Sequence, residues 1–187
     1  MTMTDTPVVD NGIDIEFLRS AREALTAEPD GAKFEWRVTN TWVRGTHSRC
    51  SVKDFYGLGA EQTHHTEFHF DGDHPEQFAS DDVGVTPVEL VLVGLAGCLT
   101  AGVAAVAQHR DIQLRSVTAT IRGDQDVRGV LGVDSDVRNG FGGITVTYTI
   151  DADATPDEIA ALVAQSQKRS AVFDILTNPT NVTVEVR

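Results

Sequence analysis

The sequence predicts an α+β protein in which antiparallel sheets wrap around one long buried helix. Three observations predict it. Apolar and polar residues alternate in several short stretches, as at Phe34, Trp36 and Val38, which is the period of half-buried strands. Residues 90–107 carry no charge, and a helix that is apolar all round is buried all round. Two helix-start signatures, Thr86-Pro87-Val88-Glu89 and Thr155-Pro156-Asp157-Glu158, each join a capping hydroxyl, a proline at the first helical position and a glutamate that completes a capping box.

The elements follow in order. Residues 14–27 read as a short helix, with Ile15, Leu18, Ala21 and Leu25 at helical spacing and Asp14 as its cap. A turn at Glu28-Pro29-Asp30-Gly31 ends it. Strands are expected from residue 33, then over 48–55 and 63–70, closed by Arg44-Gly45-Thr46-His47, Tyr56-Gly57-Leu58-Gly59 and Asp71-Gly72-Asp73. Short turns between three strands imply an antiparallel meander. After a polar loop, the uncharged helix runs from Pro87 to about His109. Gly94, Gly97, Ala101 and Ala105 keep one of its sides thin enough for close backbone approach. A strand over 114–123, a long excursion and a second strand over 142–150 come next. A helix to about Lys168, a helical piece over 170–176 and a Val-rich strand over 181–186 complete the chain. No repeat interrupts the pattern, so residues 1–187 read as one domain, with 1–31 as an N-terminal helical extension.

Composition excludes several partners. With 28 acidic and 15 basic residues the formal charge is −13, so neither nucleic acid nor an anionic membrane surface is expected to bind. The uncharged run reaches the lower length limit for a membrane span. Its Ala, Gly and Val content and its amphipathic surroundings favour a soluble core, finished by a second copy in a homodimer. Residues 1–10 contain no Lys or Arg, so no secretory signal is expected and the location expected is cytoplasmic. Neither of the two cysteines, Cys50 and Cys98, belongs to a metal-ligand spacing, and no metal or cofactor is expected. The Gly-rich pieces at 129–132 and 140–143 match no nucleotide-binding fingerprint and read as turns.

Cys98 is the candidate for chemistry. A thiol in an apolar helix usually behaves as a small hydrophobe. Reactivity requires the thiolate, which needs a cation or a helix start nearby. About three turns separate Cys98 from the start of its own helix, beyond useful reach of that dipole. Arg44, His47 and Arg49 are the candidate cations.

The stretch from Thr86 to Leu99, with Pro87 followed eleven residues later by the Ala96-Gly97-Cys98 end, resembles the OsmC/Ohr family signature. The resemblance implies an intertwined homodimer that reduces organic hydroperoxides through a peroxidatic cysteine, here Cys98. It implies an arginine holding the thiolate, for which Arg49 and Arg44 are the candidates, and a carboxylate orienting that arginine, for which Glu89 is the candidate. It further implies a resolving cysteine at the start of a short helix, reopened by a dithiol. Two departures stand out. Ser170 occupies the resolving position, and Val88 occupies the place directly after Pro87, where the peroxide-reducing branch has its glutamate. Glu89, one position on, points about 100° away and has the competing task of the capping box. The resulting expectation is a one-cysteine thiol peroxidase, with a small thiol or dithiol as reductant and Cys50 as a possible substitute resolving thiol. The alternative is an inactive OsmC-fold dimer that binds ligands or serves structure alone.

Overall fold

The computed structural model describes residues 9–186. Contacts divide them into two compact units, residues 14–91 and residues 92–186 together with the arm 9–13.

In the first unit, α1 (Ile15–Ala27) starts where Asp14 Oδ1 accepts from the Phe17 N–H at 2.9 Å. It is followed by β1 (Glu35–Trp36), β2 (Thr39–Arg44), β3 (His47–Gly57) and β4 (Ala60–Gly72). The expected meander is present and antiparallel throughout, with β3 central, β4 along one edge and β1 and β2 in succession along the other. The strand expected from residue 33 is broken because Trp36 opposes Phe55 whereas Thr39 opposes Ser51. The outer chain advances three residues where β3 advances four, so the pairing cannot be continuous. Leu58 and Gly59 turn the β3–β4 hairpin with φ of 54° and 78°, both positive, as the twist of such a hairpin favours.

The face carrying Phe34, Trp36 and Val38 is not a core within the described chain. Phe34, Trp36, Phe55, His64 and Phe68 form a continuous row of rings, with successive centroids 4.9–5.6 Å apart. Trp36 nevertheless remains 69% exposed. Gly57 is required beneath this row, because a Cβ there would stand 2.3 Å from the Phe34 ring. The loop after β4 is tied down by buried Asp73, which accepts from Thr46 Oγ1 at 2.6 Å and the Val83 N–H at 3.1 Å. The Thr46 hydroxyl, aided by the N–H groups of Val83 and His74, lowers its carboxyl to about 2.

The second unit carries the buried apolar core: Leu95, Leu99, Val103, Ala107, Ile112, Ala152 and Leu162. Helix α2 (Pro87–His109) begins at the expected capping box. Thr86 Oγ1 accepts from the Glu89 N–H at 3.3 Å, and Glu89 Oε2 accepts from the Thr86 N–H at 3.0 Å. Within one chain the helix is buried along one row. Only Leu95, Leu99, Val103 and Ala107, one residue per turn, are buried, and Val93 is 60% exposed. β5 (Leu114–Asp124) and β6 (Gly143–Ala152) pair antiparallel from Leu114↔Ala152 to Asp124↔Gly143. The excursion between them carries the one-turn helix α3 (Val127–Val130). α4 (Pro156–Arg169) starts at the second capping box and α5 (Ala171–Thr177) follows directly.

The N-terminal arm is stitched to this unit. Asn11 donates from Nδ2 to the Ile112 carbonyl at 2.8 Å and accepts the Leu114 N–H on Oδ1 at 2.9 Å. Gln108 and Gln113 bind the backbone of Val9, Asp10 and Asn11. Residues 1–8 of the expected extension lie outside the described residues. The expected strand over 181–186 is corrected. These residues adopt no regular structure, and Val182 and Val184 are 82% and 88% exposed. Alternation makes a segment suitable for a strand, but a strand forms only against an edge that supplies its hydrogen bonds, and none does so among the described residues.

Candidate functional site around Cys98 and Ser170

The site is built by two helices running antiparallel. On α4, Leu162 and Ser166 fall four residues apart, and Ser170, the C-cap, continues the same row. All three are buried, at 0%, 2% and 5% exposure. This row meets the Leu95–Ala107 row of α2. The closest approach is at Gly102, where an added Cβ would stand 2.3 Å from Ser166 Oγ and 3.0 Å from its Cβ. Ser166 Oγ uses that proximity to donate to the Leu99 carbonyl at 2.6 Å. The close contact therefore lies at Gly102; a Cβ on Gly94 or Gly97 would meet nothing within 4 Å. Stepping back one turn along α2 and forward one along α4 brings Cys98 against Ser170.

There Ser170 has two tasks. It caps α5, accepting the Phe173 N–H on Oγ at 3.1 Å. Its single hydroxyl proton is donated to Cys98 Sγ, also at 3.1 Å. Burial is the largest influence on the Cys98 thiol and opposes its ionisation. The Ser170 hydroxyl and the N–H groups of Val172 and Ala171 act together against it, and the net result lies below the ordinary thiol value. Charge-assisted bonds of this kind favour the anion they point at. Cys98 remains half-buried.

The other site candidates belong to the first unit. The Arg49 guanidinium is engaged by Asp71, from Nε at 2.9 Å, and His47 Nε2 lies 2.7 Å from the same carboxylate. Arg44 pairs with Asp81 at 3.4 Å. The Glu89 carboxylate is occupied by Thr86, whose hydroxyl and N–H hold it below the usual carboxylate range. Cys50 sits on β3 opposite Asn40 and Phe70, its Sγ 3.3 Å from Asn40 Oδ1.

Sequence reasoning placed Ser170 only as an absent thiol and missed its hydroxyl as a partner of Cys98. The N–H groups of Ala171 and Val172 were missed as well, because they belong to a different helix from the one that carries Cys98. The signal available was the spacing of Leu162, Ser166 and Ser170, which continues one face of α4 up to the cap of the next helix.

The family model described as OsmC-like protein matches residues 79–185. Among solved structures, an OsmC-like protein from Mycoplasma pneumoniae is similar over 78% of this chain and 89% of its own, with a TM-score of 0.60 at 16% identity. An organic hydroperoxide resistance protein from Legionella pneumophila is similar over 76% and 90%, with a TM-score of 0.53 at 17% identity. An OsmC-like protein from Vibrio cholerae gives 75% and 92%, with a TM-score of 0.54 at 11% identity. No curated protein matches the sequence. The mixed helices and antiparallel sheets are those of these structures, and with its family match covering more than half of its length the chain belongs to the OsmC-like family.

Proposed function

We propose that the protein acts in peroxide stress as a one-cysteine thiol peroxidase that reduces organic hydroperoxides. The observation carrying this reading is the 3.1 Å contact from the Ser170 hydroxyl to Cys98 Sγ, beside the N–H groups of Ala171 and Val172. The Cys98 thiolate attacks the outer peroxide oxygen. The O–O bond breaks, an S–O bond forms, and the alkoxide takes a proton and leaves as the alcohol, so Cys98 becomes a sulfenic acid. One external thiol condenses with it, releasing water and forming a mixed disulfide. A second thiol displaces Cys98 from that disulfide and restores it. The hydroperoxide resistance named for the Legionella relative supports the choice of oxidant. Arg49 and Arg44, engaged by Asp71 and Asp81, are not needed for this scheme.

The test is sulfenate trapping. A dimedone-type probe added after mild organic hydroperoxide labels Cys98, and Cys98→Ser abolishes the labelling while keeping the fold. Absence of labelling with a range of hydroperoxides contradicts the reading and favours the inactive ligand-binding form.

The proposed assembly is a homodimer in the cytoplasm. It is supported by the exposed faces that no described residue covers: Val91 and Val93 of α2, and the Trp36, Trp42 and Phe70 side chains of the sheet. Apolar area of this extent marks an interface in a soluble protein. Sedimentation is expected to give the dimer mass at micromolar concentration; a well-folded monomer contradicts it.

A further inference from the structure

We propose that the groove between α4 and α5 is the docking site of the external thiol, and that it selects a small zwitterionic aminothiol. The inference rests on Cys98 being the oxidised residue of the proposed function.

The groove has a volume of about 350 Å³ and is lined by Gln167, Lys168, Ser170, Phe173, Asp174 and Asn178, among others. That size suits a small molecule. Ser170 is the link to the chemistry, because it lines the groove and its hydroxyl also reaches Cys98 Sγ. Cys98 itself does not line the groove, so a sulfur resting on Ser170 stands one side chain from the atom it must attack and reaches it when Ser170 changes rotamer. The half-buried ring of Phe173 forms the apolar floor, and the rim carries charges of opposite sign. Asp174 is held by Asn178, whose Nδ2 donates to Oδ1 at 2.7 Å. The exposed Lys168 ammonium lines the same groove. A molecule with a carboxylate for Lys168, an ammonium for Asp174 and a thiol between them satisfies all three surfaces. The global charge of −13 disfavours a reductant that is itself a net anion, whereas a zwitterion carries none. Ser170 standing where a resolving thiol would otherwise be is what leaves the groove with a substrate to admit.

The docking step can be read without peroxide. In the Cys50→Ala protein, reduced Cys98 attacks a symmetric disulfide; one S–S bond breaks as another forms, and one thiolate leaves. The mixed disulfide, measured by intact mass, uses the same groove in the reverse sense. Cystine is expected to react several-fold faster than the neutral hydroxyethyl disulfide. Lys168→Glu is expected to lower the cystine-to-hydroxyethyl disulfide rate ratio about threefold to fivefold, the range of one exposed ion pair, and Lys168→Gln to lower it less. A ratio near one in the wild-type groove, a ratio unchanged by Lys168→Glu, or no mixed disulfide from either reagent overturns the proposal. Failure of sulfenate trapping, by contrast, overturns the peroxidase reading and leaves these rates to be judged by themselves.

Discussion

One equivalent of organic hydroperoxide is expected to join positions 98 and 170 in the Ser170→Cys variant, with loss of two hydrogens from the intact mass. The wild-type protein is expected instead to gain one oxygen. The geometry predicts both outcomes. Ser170 Oγ already lies 3.1 Å from Cys98 Sγ, and a disulfide needs its sulfurs about 2 Å apart, so a small rotamer adjustment closes the bond. In the wild type no thiol stands at that position, and the sulfenate waits for an external one. Excess peroxide then carries it to sulfinic acid, which ordinary thiols do not reverse, so added small thiol should protect against inactivation. Peptide mapping is the check. Loss of two hydrogens in the wild type, mapped to Cys50 and Cys98, would show that Cys50 resolves and would contradict the one-cysteine scheme.

Gly102→Leu is expected to lower stability by about 3 kcal/mol, at the upper end of overpacking costs. The replacement offers better helix propensity, worth roughly 1 kcal/mol, and the clash outweighs it. Its Cβ alone would stand 2.3 Å from Ser166 Oγ, and Ser166 cannot turn away without abandoning its buried bond to the Leu99 carbonyl. Moving α4 instead would withdraw Ser170 from Cys98. Thermal denaturation should show the loss, and Ser166→Gly in the same protein should recover part of it, since contacting sites do not add independently. An unchanged melting temperature would mean that the two helices are not in close contact.

The parts of the fold set by local chemistry were legible in the sequence. Asp14, Thr86 and Thr155 each carry a capping side chain with its partner a fixed number of residues away, and all three helix starts are found where these residues stand. The meander was legible because its turns are short. Less legible were features that depend on partners distant along the chain. Nothing near Thr39 announces that β3 holds one residue more than its neighbours between the paired positions. The valines at 182 and 184 alternate as a strand does, yet no edge among the described residues receives them. Gly94 and Gly97 looked like the thin side of α2, but Gly102 is the glycine that meets another helix.

The site was legible in half. The resemblance brought out Cys98 and the position opposite it, and the structure brings those two residues together. It also implied an arginine as the holder of the thiolate, whereas the groups described beside Cys98 Sγ are the Ser170 hydroxyl and backbone N–H groups. Backbone N–H groups carry no sequence signal of their own. Their contribution became visible only when α4 delivered the cap of α5 to a cysteine seventy-two residues earlier.

The most direct test of the site is the Cys98 pKa, measured from the pH dependence of iodoacetamide alkylation in the Cys50→Ala protein. The Ser170 hydroxyl and the N–H groups of Val172 and Ala171 lower it, so alkylation should reach its plateau at a lower pH than for an unperturbed thiol measured alongside. Ser170→Ala removes one donor and should move the profile to higher pH, and Ser170→Thr, which keeps a hydroxyl, should return it toward wild type. A wild-type profile centred at or above the ordinary thiol value, unmoved by Ser170→Ala, would contradict a stabilised Cys98 thiolate and with it the proposed chemistry.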